Sequence, residues 1–178
     1  MRIVAAPLVA LILFGVIAVA QWLYYVPRLP SPVAVHMGPS GVDRWQDKEQ
    51  FVASTPLGLA IPAAIFTGIA AISVLAILFL PDEFINLPNR EYWLATRGRR
   101  IEAAMLVLNF WLWILAGGLG VAIGILQAMF QATFTGRDQI ALPVVAGFVV
   151  FLIARIAVLI IRLRRGRDVE AAHPKRRA

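Results

Sequence analysis

The sequence predicts an all-α membrane protein with four transmembrane helices and an ordered extracytoplasmic loop between the first two. Hydrophobic residues make up 60% of the 178 and charged residues only 15%, whereas soluble domains carry about 25% charged residues. Lipid is therefore the solvent for much of the surface. Four apolar runs reach the roughly 20 residues that a helix needs to cross the hydrocarbon layer at about 1.5 Å per residue. Lys and Arg fall between and beyond these runs, and Arg155 is the one ionisable side chain within them.

The first run covers residues 3–26, the second 56–80, the third 103–130 and the fourth 140–161. Arg2, the first run and Ala18-Val19-Ala20 also fit a signal peptide with its cleavage site. The length of the run, and the aromatic belt that Trp22, Tyr24 and Tyr25 would form, favour a retained span. Thr55 suits the N-cap of the second span and Pro56 its first helical position.

Orientation follows from the basic residues. Arg2, Arg90, Arg97, Arg99, Arg100 and seven residues in 162–178 lie on one side of the membrane, twelve in all. Arg28, Arg44, Lys48 and Arg137 lie on the other. The twelve mark the cytoplasmic face, so both termini are expected in the cytoplasm. The domain layout is a membrane domain over 1–161 followed by a basic tail over 162–178 that meets anionic lipids.

Helices in lipid associate where small residues let backbones approach. Ala116, Gly120, Gly124 and Ala128 recur at four-residue spacing, as do Ala60, Ala64 and Gly68. Each set forms one stripe expected to face a neighbouring helix. Arg155 lies about 10 Å deep, seven residues before Arg162. It either snorkels to the interface or pairs with Asn109 at similar depth on the third span. Gln127 and Gln131 suit the outer interface, and Trp111 and Trp113 an inner aromatic belt.

The net charge of +7 does not imply nucleic acid, because no basic face is interleaved with base-stacking aromatics. The chain has no cysteine, which excludes disulfides, thiolate catalysis and Cys-based metal sites. No cofactor is expected.

Most of the functional information lies in the loop over 27–55. Its prolines at 27, 30 and 32 disfavour helix. Residues 33–36 suit a short extended segment, and Gly38-Pro39-Ser40-Gly41 suits a turn. Trp45 and Phe51 suit the membrane surface. Lys48, between Asp47 and Glu49, reads as part of a solvated charge run. His36 either hydrogen-bonds the turn and fixes the loop or contacts a ligand. As a general base it would need a positioned partner, for which Asp43 or Asp47 is available. A metal site needs three or four ligands, and this loop has one His and scattered carboxylates.

Leu29-Pro30, Val35-His36, the turn glycine Gly41 and the series Asp43, Trp45 and Lys48 resemble bacterial domain-of-unknown-function family 1648. The resemblance covers roughly residues 11–61. Residues 86–94, Asn-Leu-Pro-Asn-Arg-Glu-Tyr-Trp-Leu, also look like a segment seen in that family. The resemblance implies a bacterial multi-pass membrane protein, distantly similar to immunity proteins of the sporulation-delay type. Those protect a cell from a secreted peptide toxin and can sequester a repressor at the membrane.

The cytoplasmic segment 86–102 suits a short helix capped by Asn89, with Glu91 in its first turn. Tyr92, Trp93 and Leu94 would dip into the interface while Arg97, Arg99 and Arg100 meet lipid phosphates. The expected function is non-enzymatic: recognition, immunity or sensing of an extracytoplasmic peptide or envelope component. The alternative is a small transporter or channel subunit acting as an oligomer. An enzyme acting through His36 is the third reading.

Overall fold

The computed structural model describes residues 2–38, 41–136 and 141–164. Helix α1 (Arg2–Tyr25) ends in a 3-10 turn, Val26–Arg28, and leads to strands β1 (Val33–Gly38) and β2 (Gly41–Gln46). There follow α2 (Lys48–Phe79), a second 3-10 turn at Asp82–Phe84, α3 (Arg90–Leu94), α4 (Arg97–Thr135) and α5 (Ala141–Arg164). Helices α1, α2, α4 and α5 are long and apolar enough to cross a membrane, which supports a multi-pass membrane protein. The basic tail past Arg164, Arg137 and the turn residues Pro39 and Ser40 lie outside the described residues.

Helix α4 is the spine. At 39 residues it is about 58 Å long at the α-helical rise, and the other three spans each pack along it. α1 runs parallel to it: Asn109 meets the carbonyl of Ile3, and Gln127 meets Gln21. α5 runs antiparallel, and there the backbones come close. A Cβ on Gly124 would stand 2.8 Å from both methyls of Val144, and one on Gly117 2.5 Å from the Phe151 ring. The stripe of Ala116, Gly120, Gly124 and Ala128 thus lies in helix seams: both alanines are fully buried, and Gly120 faces Phe14 of α1.

Helix α2 departs from expectation. It starts at Lys48 behind Asp47, not at Pro56, so Pro56 and Pro62 lie inside it. The reason is tertiary. Extending the helix backwards delivers Phe51 to an apolar cluster with Leu29, Val33, Leu126 and Phe130. Burying one phenylalanine side chain is worth roughly 1.5–3 kcal/mol, enough to offset much of the cost of about 3 kcal/mol for an interior proline. Its buried residues are Phe51, Ala70 and Ile77. Between Phe51 and Ala70 the helix stands off α4 and leaves a cavity of about 690 Å³. The stripe of Ala60, Ala64 and Gly68 lies off the face of α2 that lines this cavity; it is exposed rather than packed on a neighbour, and space is open around Gly68.

At the end opposite the strands, Ile77, Trp93, Ala103, Ala104, Leu106, Val107 and Leu163 form a second core cluster. Trp93 and Leu94 are buried in protein and do not dip into the interface. Asn89 precedes α3 in the left-handed conformation, φ 56°, and makes no side-chain cap to it. Its amide instead donates to the carbonyls of Leu163 (3.3 Å) and Arg164 (2.8 Å), and the Trp93 indole N–H donates to Leu163 at 2.9 Å. These bonds satisfy the carbonyls that the end of α5 leaves open. Arg100 pairs with Asp82, and Arg99 lies over the Tyr92 ring at 4.1 Å. Both cations therefore have protein partners.

Candidate functional site: the β-hairpin

Strands β1 and β2 pair antiparallel, with Val33 opposite Gln46, Ala34 opposite Trp45, His36 opposite Arg44 and Gly38 opposite Gly41. Gly41 adopts φ +115°, a conformation open in practice to glycine alone, so the turn depends on it. Register irregularities flank His36 on both sides. Such bulges re-aim side chains, and here His36 meets Asp43 diagonally: Nδ1 lies 2.6 Å from Oδ1.

One side of the hairpin is held firmly. Leu29, Val33 and Ala34 are buried. The Ala34 N–H donates to the Thr133 hydroxyl at 3.0 Å, and that hydroxyl donates to the Met129 carbonyl at 2.8 Å. Beneath lies an aromatic cluster. Trp22 stacks on Phe51 at 5.9 Å, Tyr25 stacks on Phe130 at 4.8 Å, and Phe51 meets Phe130 edge-on at 6.2 Å. Phe51, expected on the membrane surface, is in fact 1% exposed, because the start of α2 carries it under the hairpin. Of the expected aromatic belt only Tyr24 faces outward, with Arg28 over its ring.

Lys48 is partly buried and has protein partners, beyond the solvated charge run expected of it. Its ammonium donates to the Leu29 carbonyl at 2.9 Å and the Pro27 carbonyl at 3.4 Å, while its backbone N–H donates to Ser31 Oγ at 3.3 Å. It ties the first turn of α2 to the segment that leads into β1. Pro30 is exposed beside this tie.

The other side of the hairpin is open. The His36 and Asp43 side chains are 66% and 49% exposed, and Arg44 and Trp45 are exposed as well. These four exposed residues comprise one aromatic, one cation, one carboxylate and one imidazole, and His36 and Asp43 are in contact. Among the described residues no group of three His, Cys, Asp or Glu is placed to hold a metal. Together they can offer hydrogen bonds of both polarities and an aromatic face.

Two polar clusters lie along α4 below the hairpin. Arg155 Nη2 donates to Asn109 Oδ1 at 3.0 Å and lies 5.0 Å from the Trp113 ring, and Asn109, only 5% exposed, donates to the Ile3 carbonyl. Nearer the hairpin, Gln21 donates to Gln127 Oε1 at 2.9 Å and to the Ile123 carbonyl at 3.2 Å, and Gln127 donates to the Tyr25 hydroxyl at 2.9 Å. Gln127 thus joins α1 to α4 instead of facing the interface. Sequence reasoning missed this cluster, although two glutamines within apolar runs were its signal.

No family model, curated protein or solved structure matches the chain.

Proposed function

We propose that this is a non-enzymatic membrane protein that recognises an extracytoplasmic peptide or envelope component through its β-hairpin. In this reading the hairpin faces away from the cytoplasm, both chain termini lie inside, and the protein sits in the bacterial cytoplasmic membrane. The tail then meets anionic lipids.

One observation carries the reading: the hairpin is anchored at the start of β1 and open along β2. Leu29, Val33 and Ala34 are buried while His36, Asp43, Arg44 and Trp45 are exposed. A binding surface gains from such support because less order remains to be imposed on contact. Trp45 offers an aromatic anchor of the kind enriched at contact hot spots. The outer edge of β2, in a sheet of two strands, suits an extended peptide adding as a third strand. The resemblance of this loop to family 1648 and the basic-residue asymmetry support the same reading.

The test is complementation. Cells lacking the protein are challenged with secreted peptides of neighbouring cells. Wild type is expected to restore tolerance, and a Trp45→Ala/Arg44→Ala variant to reach the membrane without restoring it. Full rescue by that variant refutes the role of the hairpin. For orientation, Trp45→Cys and Glu83→Cys introduce the only thiol in each chain. An impermeant maleimide should label intact cells at position 45 and leave position 83 unlabelled. Labelling at 83 alone inverts the topology.

A further inference from the structure

Arg155 is the one cation inside the apolar runs, and those runs contain no Asp or Glu. Its orientation is set from a distant part of the chain. Helix α1 carries Pro7, which is buried and has no N–H, so the Ile3 carbonyl four residues before it lacks a donor in its own helix. The Asn109 amide donates to that carbonyl. This commits Nδ2 and leaves Oδ1 to accept from Arg155 Nη2 at 3.0 Å. The guanidinium also lies over Trp113, 5.0 Å from the ring centroid, and Trp113 is one turn nearer the hairpin than Asn109.

These contacts orient the charge without cancelling it, because Asn109 and Trp113 are neutral. Among the described residues the ion pairs are His36–Asp43 and Arg100–Asp82. Glu102, the acid of α4, stands two turns from Asn109 toward the α3 end and is exposed. Arg155 Nε is enclosed and has no acceptor, and Arg162, two turns further along the same face of α5, only adds like charge. A cation in the hydrocarbon layer is costly, and such groups are found paired.

The sources of an anion are separable. A second copy has no acid in its apolar runs. Lipid phosphates lie at the level of the basic residues that end α5, about 10 Å from Arg155 at the helical rise. The side chain leans the other way: Cβ atoms tilt toward the N-terminus of α5, its hairpin end, and Trp113 holds the guanidinium on that side. A carboxylate on a membrane-spanning helix of another protein arrives at whatever depth its sequence gives it.

We propose that Arg155 is the docking point for a membrane-spanning helix of another protein that carries Asp or Glu within its span. Ile153, Ala154 and Ile156 beside it are exposed and give such a helix an apolar surface to lie on. The pair forms away from water, where opposite charges attract most strongly. Depth selects the partner as well as charge. The site is independent of the hairpin and of what the hairpin binds.

The experiment reconstitutes the full chain in phosphatidylcholine vesicles with a synthetic helix of about 20 leucines and alanines bearing one Asp about 10 Å from one end. The same helix with Asn in place of Asp is the control. The chain carries a donor dye at Glu83→Cys, its only thiol, and the helix carries the acceptor; energy transfer gives the association constant. Wild type should bind the Asp helix at least fivefold more tightly than the Asn helix. Arg155→Leu and Arg155→Gln, each in protein that elutes as wild type, should bring that ratio within twofold of one. Equal binding of the two helices by wild type overturns the proposal, as does a preference that survives in both variants. Replacing part of the phosphatidylcholine by phosphatidylglycerol should leave the ratio unchanged; its loss there would give Arg155 to lipid phosphate and overturn the proposal. Asp168→Asn/Glu170→Gln in the tail should also leave binding unchanged, and a tenfold rise would show that the chain supplies its own anion and overturn the proposal too.

Discussion

Two glycines on the same helix should respond in opposite ways to the same substitution. Gly118 and Gly124 both lie within α4. Glycine to alanine in a helix interior gains about 0.5–1 kcal/mol from backbone entropy alone. Gly118 has nothing within 4 Å of a new Cβ, so Gly118→Ala should keep that gain. At Gly124 the new Cβ would stand 2.8 Å from both Val144 methyls. Val144 is β-branched and cannot rotate one methyl away without bringing the other in. Overpacking of this kind costs about 1–3 kcal/mol. The backbone gain is common to both variants and cancels in their difference. Gly124→Ala should therefore be less stable than Gly118→Ala by about 1–3 kcal/mol, roughly a 5- to 150-fold difference in the unfolding equilibrium. Equilibrium unfolding in mixed micelles, read by tryptophan fluorescence, measures the difference. Equal stabilities, or the reverse order, would refute the close α4–α5 approach at this position.

Lys48→Met should speed amide exchange across residues 29–35 and lower stability by about 1 kcal/mol, since the ammonium is half-exposed and water replaces part of its bonding; unchanged exchange would remove its tie to Leu29. Asn109→Leu should cost more than Arg155→Leu, because Asn109 is buried between two partners while Arg155 is only partly buried. Their coupling in a double-mutant cycle should reach about 0.5–2 kcal/mol, and zero coupling would count against the bond. Trp93→Phe keeps the ring and loses the bond to Leu163; exchange over 159–164 should rise, with about 1 kcal/mol lost.

How much was legible in the sequence depended on which kind of partner a side chain has. The four spans were written in composition, since apolar runs of this length have few other uses. Asn109 and Arg155 could be weighed as partners because both are polar side chains in apolar runs at similar depth. Lys48 could not be placed. Its partners are the carbonyls of Pro27 and Leu29, and every residue carries such a carbonyl, so no letter marks the site. Asn89 and Trp93 were missed in the same way, bonding carbonyls about 70 residues downstream. Pro56 misled for a different reason: proline at a helix start is a sound local signal. What overrides it is the burial of Phe51 among aromatics from α1 and α4, a contact no local window contains.

The three seams on α4 are held by different chemistry, and that difference locates the give in the structure. The α1 seam is bonded near both ends, at Asn109 and at Gln127. The α5 seam is closed by Gly117 and Gly124, where the contacts leave no slack. Past its first turn α2 has no side-chain hydrogen bond to another span among the described residues; Thr67 and Ser73 bond only within their own helix. It is buried at Phe51, Ala70 and Ile77; between Phe51 and Ala70, Phe66 meets the Trp111 ring at 6.3 Å, no residue is buried, and two interior prolines have removed backbone bonds. Local opening is easiest where packed contacts are few, so motion among the spans should concentrate in α2 between residues 52 and 69. Phe51, at the hairpin end of that stretch, also lies beneath the hairpin. Its stack on Trp22 and its edge contact with Phe130 join the first turn of α2 to α1 and α4, so the hairpin rests on the fixed end of α2 and not on the stretch with room to move.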